Sequence, residues 1–167
     1  MSATLLPRRL DARRNREVIL RVAVEAFDRC GELVSLDEIA RRAGLGRATV
    51  YRHFPDRNAL GSAVAAERLA DLARRMESAS FREFLHATLV EQRSLVGLLR
   101  ELPERAQRRY SDALLTLLRP AFRRAREEGR LRSDLELADL PIVFGMVESA
   151  TERLVQALLD GLFEKAA

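Results

Sequence analysis

Two short apolar-patterned segments separated by a glycine constrain this chain more than any other feature. Leu36, Ile39, Ala40 and Ala43 recur at three- and four-residue spacing and then meet Gly44; Leu45 and Val50 follow, and Pro55 closes the second segment. That spacing places the side chains on one face of a helix. Gly44 supplies the backbone freedom a sharp turn needs, Ala40 is small enough to let a second helix approach, and Pro55 cannot continue one. Ser35 with Glu38 three residues on is a capping box, which satisfies free N–H groups at a helix start. The pattern predicts helices from Ser35 to about Arg42 and from about Arg47 to His53, joined as a helix-turn-helix. The plainer alternative is any short helix–Gly–helix unit of an all-helical protein.

Charge separates the two readings. Twelve arginines face eight carboxylates across residues 1–60, whereas the remaining 107 residues carry 17 of each sign, so the whole excess of +4 sits at the N-terminal end. A basic segment around such a unit is the electrostatic footprint of nucleic-acid binding. Composition is that of a globular, helix-favouring chain, 47% hydrophobic and 32% charged. Cys30 is the single cysteine, which excludes a disulfide and a zinc cluster. It is expected to pack as a small apolar residue near the end of the first helix. No apolar run approaches the ~20 residues of a membrane span, and no signal peptide is visible. A cytoplasmic protein without membrane contact is expected.

Around this centre the rest reads as helices. Residues 1–10 lack periodicity and read as a flexible arm carrying Arg8 and Arg9. A first helix follows from Asp11, with Val18, Ile19, Val22, Ala23, Ala26 and Phe27 on one face and Gly31 as its cap. Asp56 caps a long fourth helix reaching about Met76. Stripes from Phe81 to Leu99 and from Tyr110 to Ala125 give two more, ended by Pro103 and Gly129; Pro120 is expected to kink the second. Ser149 and Glu152 form another capping box, which splits the last 30 residues into two helices, a single bent helix being the alternative.

The stretch Ser35-Leu36-Asp37-Glu38-Ile39-Ala40-Arg41-Arg42-Ala43-Gly44-Leu45-Gly46-Arg47-Ala48-Thr49-Val50-Tyr51-Arg52-His53-Phe54-Pro55-Asp56-Arg57-Asn58-Ala59-Leu60 resembles the signature of the TetR family of transcriptional regulators. The specific match covers roughly residues 11–65. It implies an all-α protein: a DNA-binding domain over residues 1–58, a fourth helix over about 57–77 as connector, and a ligand-sensing and dimerisation domain over 78–167. The resemblance puts Arg47, Ala48, Thr49 and Arg52 in the major groove, where an arginine makes a bidentate contact with guanine. It puts Ser35, Tyr51, His53 and Arg57 on phosphates, with Arg13 and Arg14 reaching the backbone or minor groove. For Tyr51 a place in the core is the alternative; for His53, Arg52 and Arg57 it is simple solvation. One departure stands out, since Gly46 occupies a position where the family commonly has a capping Ser or Thr.

The C-terminal half is short for that family. Polar residues interrupt its apolar stripes at His86, Thr88, Gln92, Tyr110 and Thr116, and a few polar groups in an apolar lining are what a ligand site needs. His86, Gln92, Tyr110 and Phe144 are the candidate effector contacts, surface or satisfied core roles being the alternative. The last two helices carry more apolar surface than a peripheral pair can hide, which marks an interface. Ile142, Val143, Met146, Leu154, Val155, Leu158 and Leu162 are the candidates for a homodimer, with internal core filling as the alternative for Ile142, Phe144 and Val147. Two histidines 33 positions apart, no phosphate-cradling glycine loop and no metal-ligand spacing leave no catalytic constellation and no cofactor. The expected function is a ligand-responsive repressor acting as a dimer on near-palindromic double-stranded DNA. The alternative is an architectural DNA binder, or an activator, without a small-molecule ligand.

Overall fold

The computed structural model describes residues 5–30, 33–146 and 150–163. Eight α-helices lie within them: α1 (Leu5–Cys30), α2 (Leu36–Ala43), α3 (Arg47–His53), α4 (Arg57–Arg75), α5 (Phe81–Glu101), α6 (Glu104–Glu127), α7 (Leu140–Met146) and α8 (Glu152–Leu162). Helix α1 begins at Leu5, so the arm expected over residues 1–10 is corrected from Leu5 onward, and residues 1–4 lie outside the described residues. Pro7 sits in its first turn, where the missing N–H has no helical partner to lose. Gly31 and Ser149 lie outside the described residues, as do the side chains of Cys30 and Met146. Helix α8 instead starts after Thr151, which contributes no side-chain cap.

Helix ends follow local chemistry. The Asp56 carboxylate accepts from the Ala59 N–H at 2.7 Å and starts α4. Ser80 and Glu83 form a reciprocal capping box that sequence reading missed: the Ser80 N–H donates to Glu83 at 2.9 Å, and the Glu83 N–H to the Ser80 hydroxyl at 3.3 Å. Gly129 ends α6 at φ 66°, in the left-handed region that glycine enters without strain.

The chain divides into two compact units, one made of residues up to Ala65 with Gly97–Leu102, the other of Ala66–Val96 with the chain from Pro103 onward. The end of α5 joins the first unit. Gly61 is the reason: a Cβ there would lie 2.8 Å from a Leu33 methyl and 3.0 Å from methyls of Leu98 and Leu102. The first core comprises Ile19, Ala23, Phe27, Leu36, Ile39, Val50, Phe54, Leu60 and Val64, all buried. Each fully buried large side chain contributes about 1.5–3 kcal/mol relative to exposure.

The second unit is built on Leu72, Phe84, Leu85, Leu89, Leu114, Leu118, Leu140, Val155 and Leu159. The end of α8 is tied down by aromatic packing. Phe81 meets Phe122 edge-on at 5.4 Å and Phe163 at 5.8 Å. Arg82 pairs with Asp160 at 2.5 Å and lies 5.4 Å over the Phe163 ring. Leu131 and Phe163 form an isolated antiparallel bridge.

Because three leucine methyls crowd Gly61, we expect Gly61→Val to destabilise the protein by about 1–3 kcal/mol through overpacking. Gly61→Ala should sit near zero, since about 0.8–1 kcal/mol of helix propensity offsets displacement of flexible methyls. Urea unfolding checks this; a valine variant as stable as the parent would refute the close approach.

Candidate nucleic-acid interface

Ser35 opens α2, its hydroxyl accepting from the Glu38 N–H at 3.2 Å. The return half of the expected capping box is replaced. The Glu38 carboxylate turns instead to Arg41, at 2.8 and 2.6 Å, and to Arg42 at 2.6 Å. Those bonds, Arg41's first, hold its pKa down from 4.5 to about 2. Helix α2 ends at Gly44, φ 64° and ψ 28°, and α3 begins behind Gly46, which offers no side-chain cap.

Helix α3 turns Val50 inward, fully buried, and leaves Arg47, Ala48, Tyr51 and Arg52 exposed on spacings of four. Tyr51 is 44% exposed, which sets aside a core role. Its hydroxyl donates to Asp37 Oδ1 at 3.4 Å, and Arg47 Nη2 lies 3.2 Å from Asp37 Oδ2. Arg52 folds back along its own helix, donating to the Ala48 carbonyl at 3.2 Å and the half-buried Thr49 hydroxyl at 3.1 Å. His53 is half-buried at the helix end.

The flanking candidates are held separately. Arg57 pairs with Glu101 at 3.0 Å, and Arg13 with Glu17 at 3.0 Å, while Arg14 is exposed. Sequence reading overlooked Asp37, Glu101 and Arg16, the last lying 4.8 Å over the Phe54 ring. No pattern signalled these, because each partner is remote in sequence or sits on a neighbouring helix.

In the second unit the polar candidates separate. Gln92 donates to the buried Tyr110 hydroxyl at 3.4 Å. Burial, and then the nearby Glu91 charge, push the Tyr110 phenol well above its ordinary range. Glu91 itself faces Arg75 at 3.2 Å and Arg68 at 3.7 Å. Thr88 is a satisfied core group, donating to the Phe84 carbonyl at 2.8 Å. Thr116 lies on the surface, bonded to the Asp112 carbonyl. His86 Nε2 meets Glu152 Oε1 at 2.7 Å, and Phe144 is half-buried.

The proposed dimer face needs correcting at two positions. Val143 and Val155 are buried within the chain itself, at 7% and 0%, because helical periodicity turns them inward. Ile142 and Leu154 are 67% and 51% exposed, and Leu158 and Leu162 are half-buried. No helix among the described residues is long and apolar enough to cross a membrane.

This geometry, a short exposed helix braced by a glycine turn, agrees with the comparisons. Residues 19–64 match the profile of bacterial regulatory proteins of the tetR family. An HTH-type transcriptional regulator of Staphylococcus aureus strain USA300 is 43% identical over 53 residues, 31% of this chain and 29% of that protein. The chain thus spans under a third of the length of the curated relatives it matches. The crystal structure of a TetR transcription regulatory protein from Mycobacterium vanbaalenii shares 34% identity at TM-score 0.63, over 93% of this chain and 99% of that one. A TetR transcriptional regulator from Streptomyces coelicolor shares 27% at TM-score 0.64, over 90% and 99%. The chain belongs to the TetR family of helix-turn-helix regulators, which are DNA-binding proteins and not enzymes.

The lowered Glu38 pKa carries a sign. Its contribution to stability is full above the ordinary carboxylate value of 4.5 and is lost as pH falls toward about 2. Glu38→Gln should therefore flatten the loss of stability across that window while changing little near neutrality in slope. Urea midpoints measured from pH 6 downward test it; equal acid slopes in both proteins would remove Glu38 from the account.

Proposed function

We propose that the chain is a ligand-responsive repressor that binds a near-palindromic operator as a homodimer. The observation that carries the DNA-reading part is the exposed row Arg47, Ala48, Tyr51 and Arg52 on a helix whose opposite side, Val50, is fully buried. A seven-residue helix fits the major groove, its first residues addressing base edges. In this reading Arg47 addresses a guanine and Ala48 and Thr49 touch thymine methyls. Ser35, Tyr51, His53 and Arg57 meet phosphates, with Arg13 and Arg14 on the flanking backbone or minor groove.

Dimerisation is supported by the outward apolar row Ile142, Leu154, Leu158 and Leu162, which extends over α7 and α8. An isologous pairing would set two recognition helices about 34 Å apart, one turn of DNA. The effector reading rests on Tyr110 and Gln92, a buried phenol and a half-buried amide near the Glu91 carboxylate. His86 and Phe144 are the less supported contacts. Helices α4 and α5 each belong to both compact units, so a ligand that favours one arrangement of these helices has a route to the DNA-binding unit.

Selection from a random DNA library, followed by affinity measurement at fixed salt, tests the operator. We expect a near-palindrome preferred ~10³-fold or more over scrambled duplex. Arg47→Ala should cost about 1–3 kcal/mol and relax one base position in each half-site. Arg57→Ala should weaken all sequences alike and reduce the salt slope by about 1. Uniform binding by the parent would favour an architectural role.

For assembly, Leu154→Glu places a charge in the exposed apolar row without touching the buried face of α8. Sedimentation should then show a monomer where the parent is a dimer, with operator affinity lost in parallel. A dimeric variant would move the interface elsewhere.

A further inference from the structure

We propose that Asp37 is a specificity-determining residue, which positions Arg47 for base reading and penalises binding to DNA of the wrong sequence. This rests on the reading of α3 as the recognition helix. Asp37 stands in the first turn of α2, yet its carboxylate reaches two residues of α3: Arg47 at 3.2 Å and Tyr51 at 3.4 Å. The side chains of Arg47 and Asp37 are 74% and 41% exposed, so the pair lies on the surface that carries the DNA-facing row.

Two consequences follow from the charges. A free arginine at the start of α3 samples many rotamers, and a fixed carboxylate narrows them before DNA arrives. Guanidinium has five donors, so one edge can stay on Asp37 while the other makes a bidentate contact with guanine. On a non-cognate site the nearest anions are phosphates, which draw Arg47 away. The Asp37 carboxylate is then left unpaired before a polyanion, a like-charge arrangement that disfavours the complex. The other acidic residue of this turn has no such reach, since Glu38 is held by Arg41 and Arg42 on its own helix.

The test uses the full chain, a duplex chosen from the random library and a random-sequence 40-base-pair pool as competitor. Asp37→Asn should raise affinity for the random pool about twofold to fivefold, the scale of one exposed ion pair. The salt dependence should steepen by up to about 1 in log–log slope, because one phosphate-neutralising cation is released from its internal partner. Base preference should flatten at the position that Arg47→Ala also flattens. In the Arg47→Ala background, Asp37→Asn should change the salt slope no more than charge removal demands and leave base preference untouched. Asp37→Glu, which keeps the charge, should retain the preference and guards against a folding defect, as does an unchanged melting temperature.

If Asp37→Asn leaves both specificity ratio and base preference at parental values while Arg47→Ala flattens them, Asp37 has no such role and the recognition helix stands. If Arg47→Ala itself changes neither, the assignment of α3 side chains fails and the Asp37 proposal falls with it.

Discussion

Between α2 and α3 the backbone enters the left-handed region at one residue, Gly44, at φ 64° and ψ 28°. Its N–H bonds the Arg41 carbonyl at 3.3 Å, and the Leu45 N–H bonds the Ala40 carbonyl at 3.0 Å, so the last turn of α2 is satisfied as the chain reverses. A side chain at position 44 would meet no neighbour but would strain the backbone. The whole exposed face of α3 depends on this turn. Helix α3 has seven residues and no side-chain cap, too short to persist alone. Burial of Val50 and Phe54 holds it, and that burial decides which side chains face outward.

The charges around that surface are restrained rather than free. Glu38 binds Arg41 and Arg42, Asp37 faces Arg47, and Glu101 faces Arg57. Exposed pairs of this kind contribute little to stability, since solvent screens them and ordering two side chains opposes them. On the proposed reading their significance lies in orientation and in competition with phosphate: the N-terminal excess of positive charge would give attraction, and the carboxylates would govern how the arginines are presented.

The second unit shows how one helix serves two surfaces. Along α8, Val155 and Leu159 close the internal core while Leu154 points out. The cluster of Phe81, Phe122 and Phe163 with Arg82 anchors the C-terminal end of α8.

Much of the fold was legible as local chemistry. Gly44, Pro55, Asp56 and Gly129 act within a few residues of themselves, so the bounds of α2, α3, α4 and the end of α6 could be read directly from sequence. The basic N-terminal segment was equally readable from the charge count, and Arg47, Ala48 and Arg52 of the exposed row on α3 were named by the family resemblance. What required the tertiary structure was the choice of partner. The Glu38 N–H keeps the Ser35 hydroxyl, while the Glu38 carboxylate turns to two arginines, where both partners of each bond are charged. Val143 turns inward, away from Ile142, because packing and not hydrophobicity assigns faces in a helix as uniformly apolar as α7, and on α8 packing likewise selects Val155 over Leu154. The end of α5 joins the DNA-binding unit through Gly61, and Asp37 meets Arg47 and Tyr51 across a helix crossing. Sequence determined the elements and their charges through short-range sterics and capping; the tertiary structure decided which of those charges and apolar faces meet, because such contacts exist only once remote helices pack.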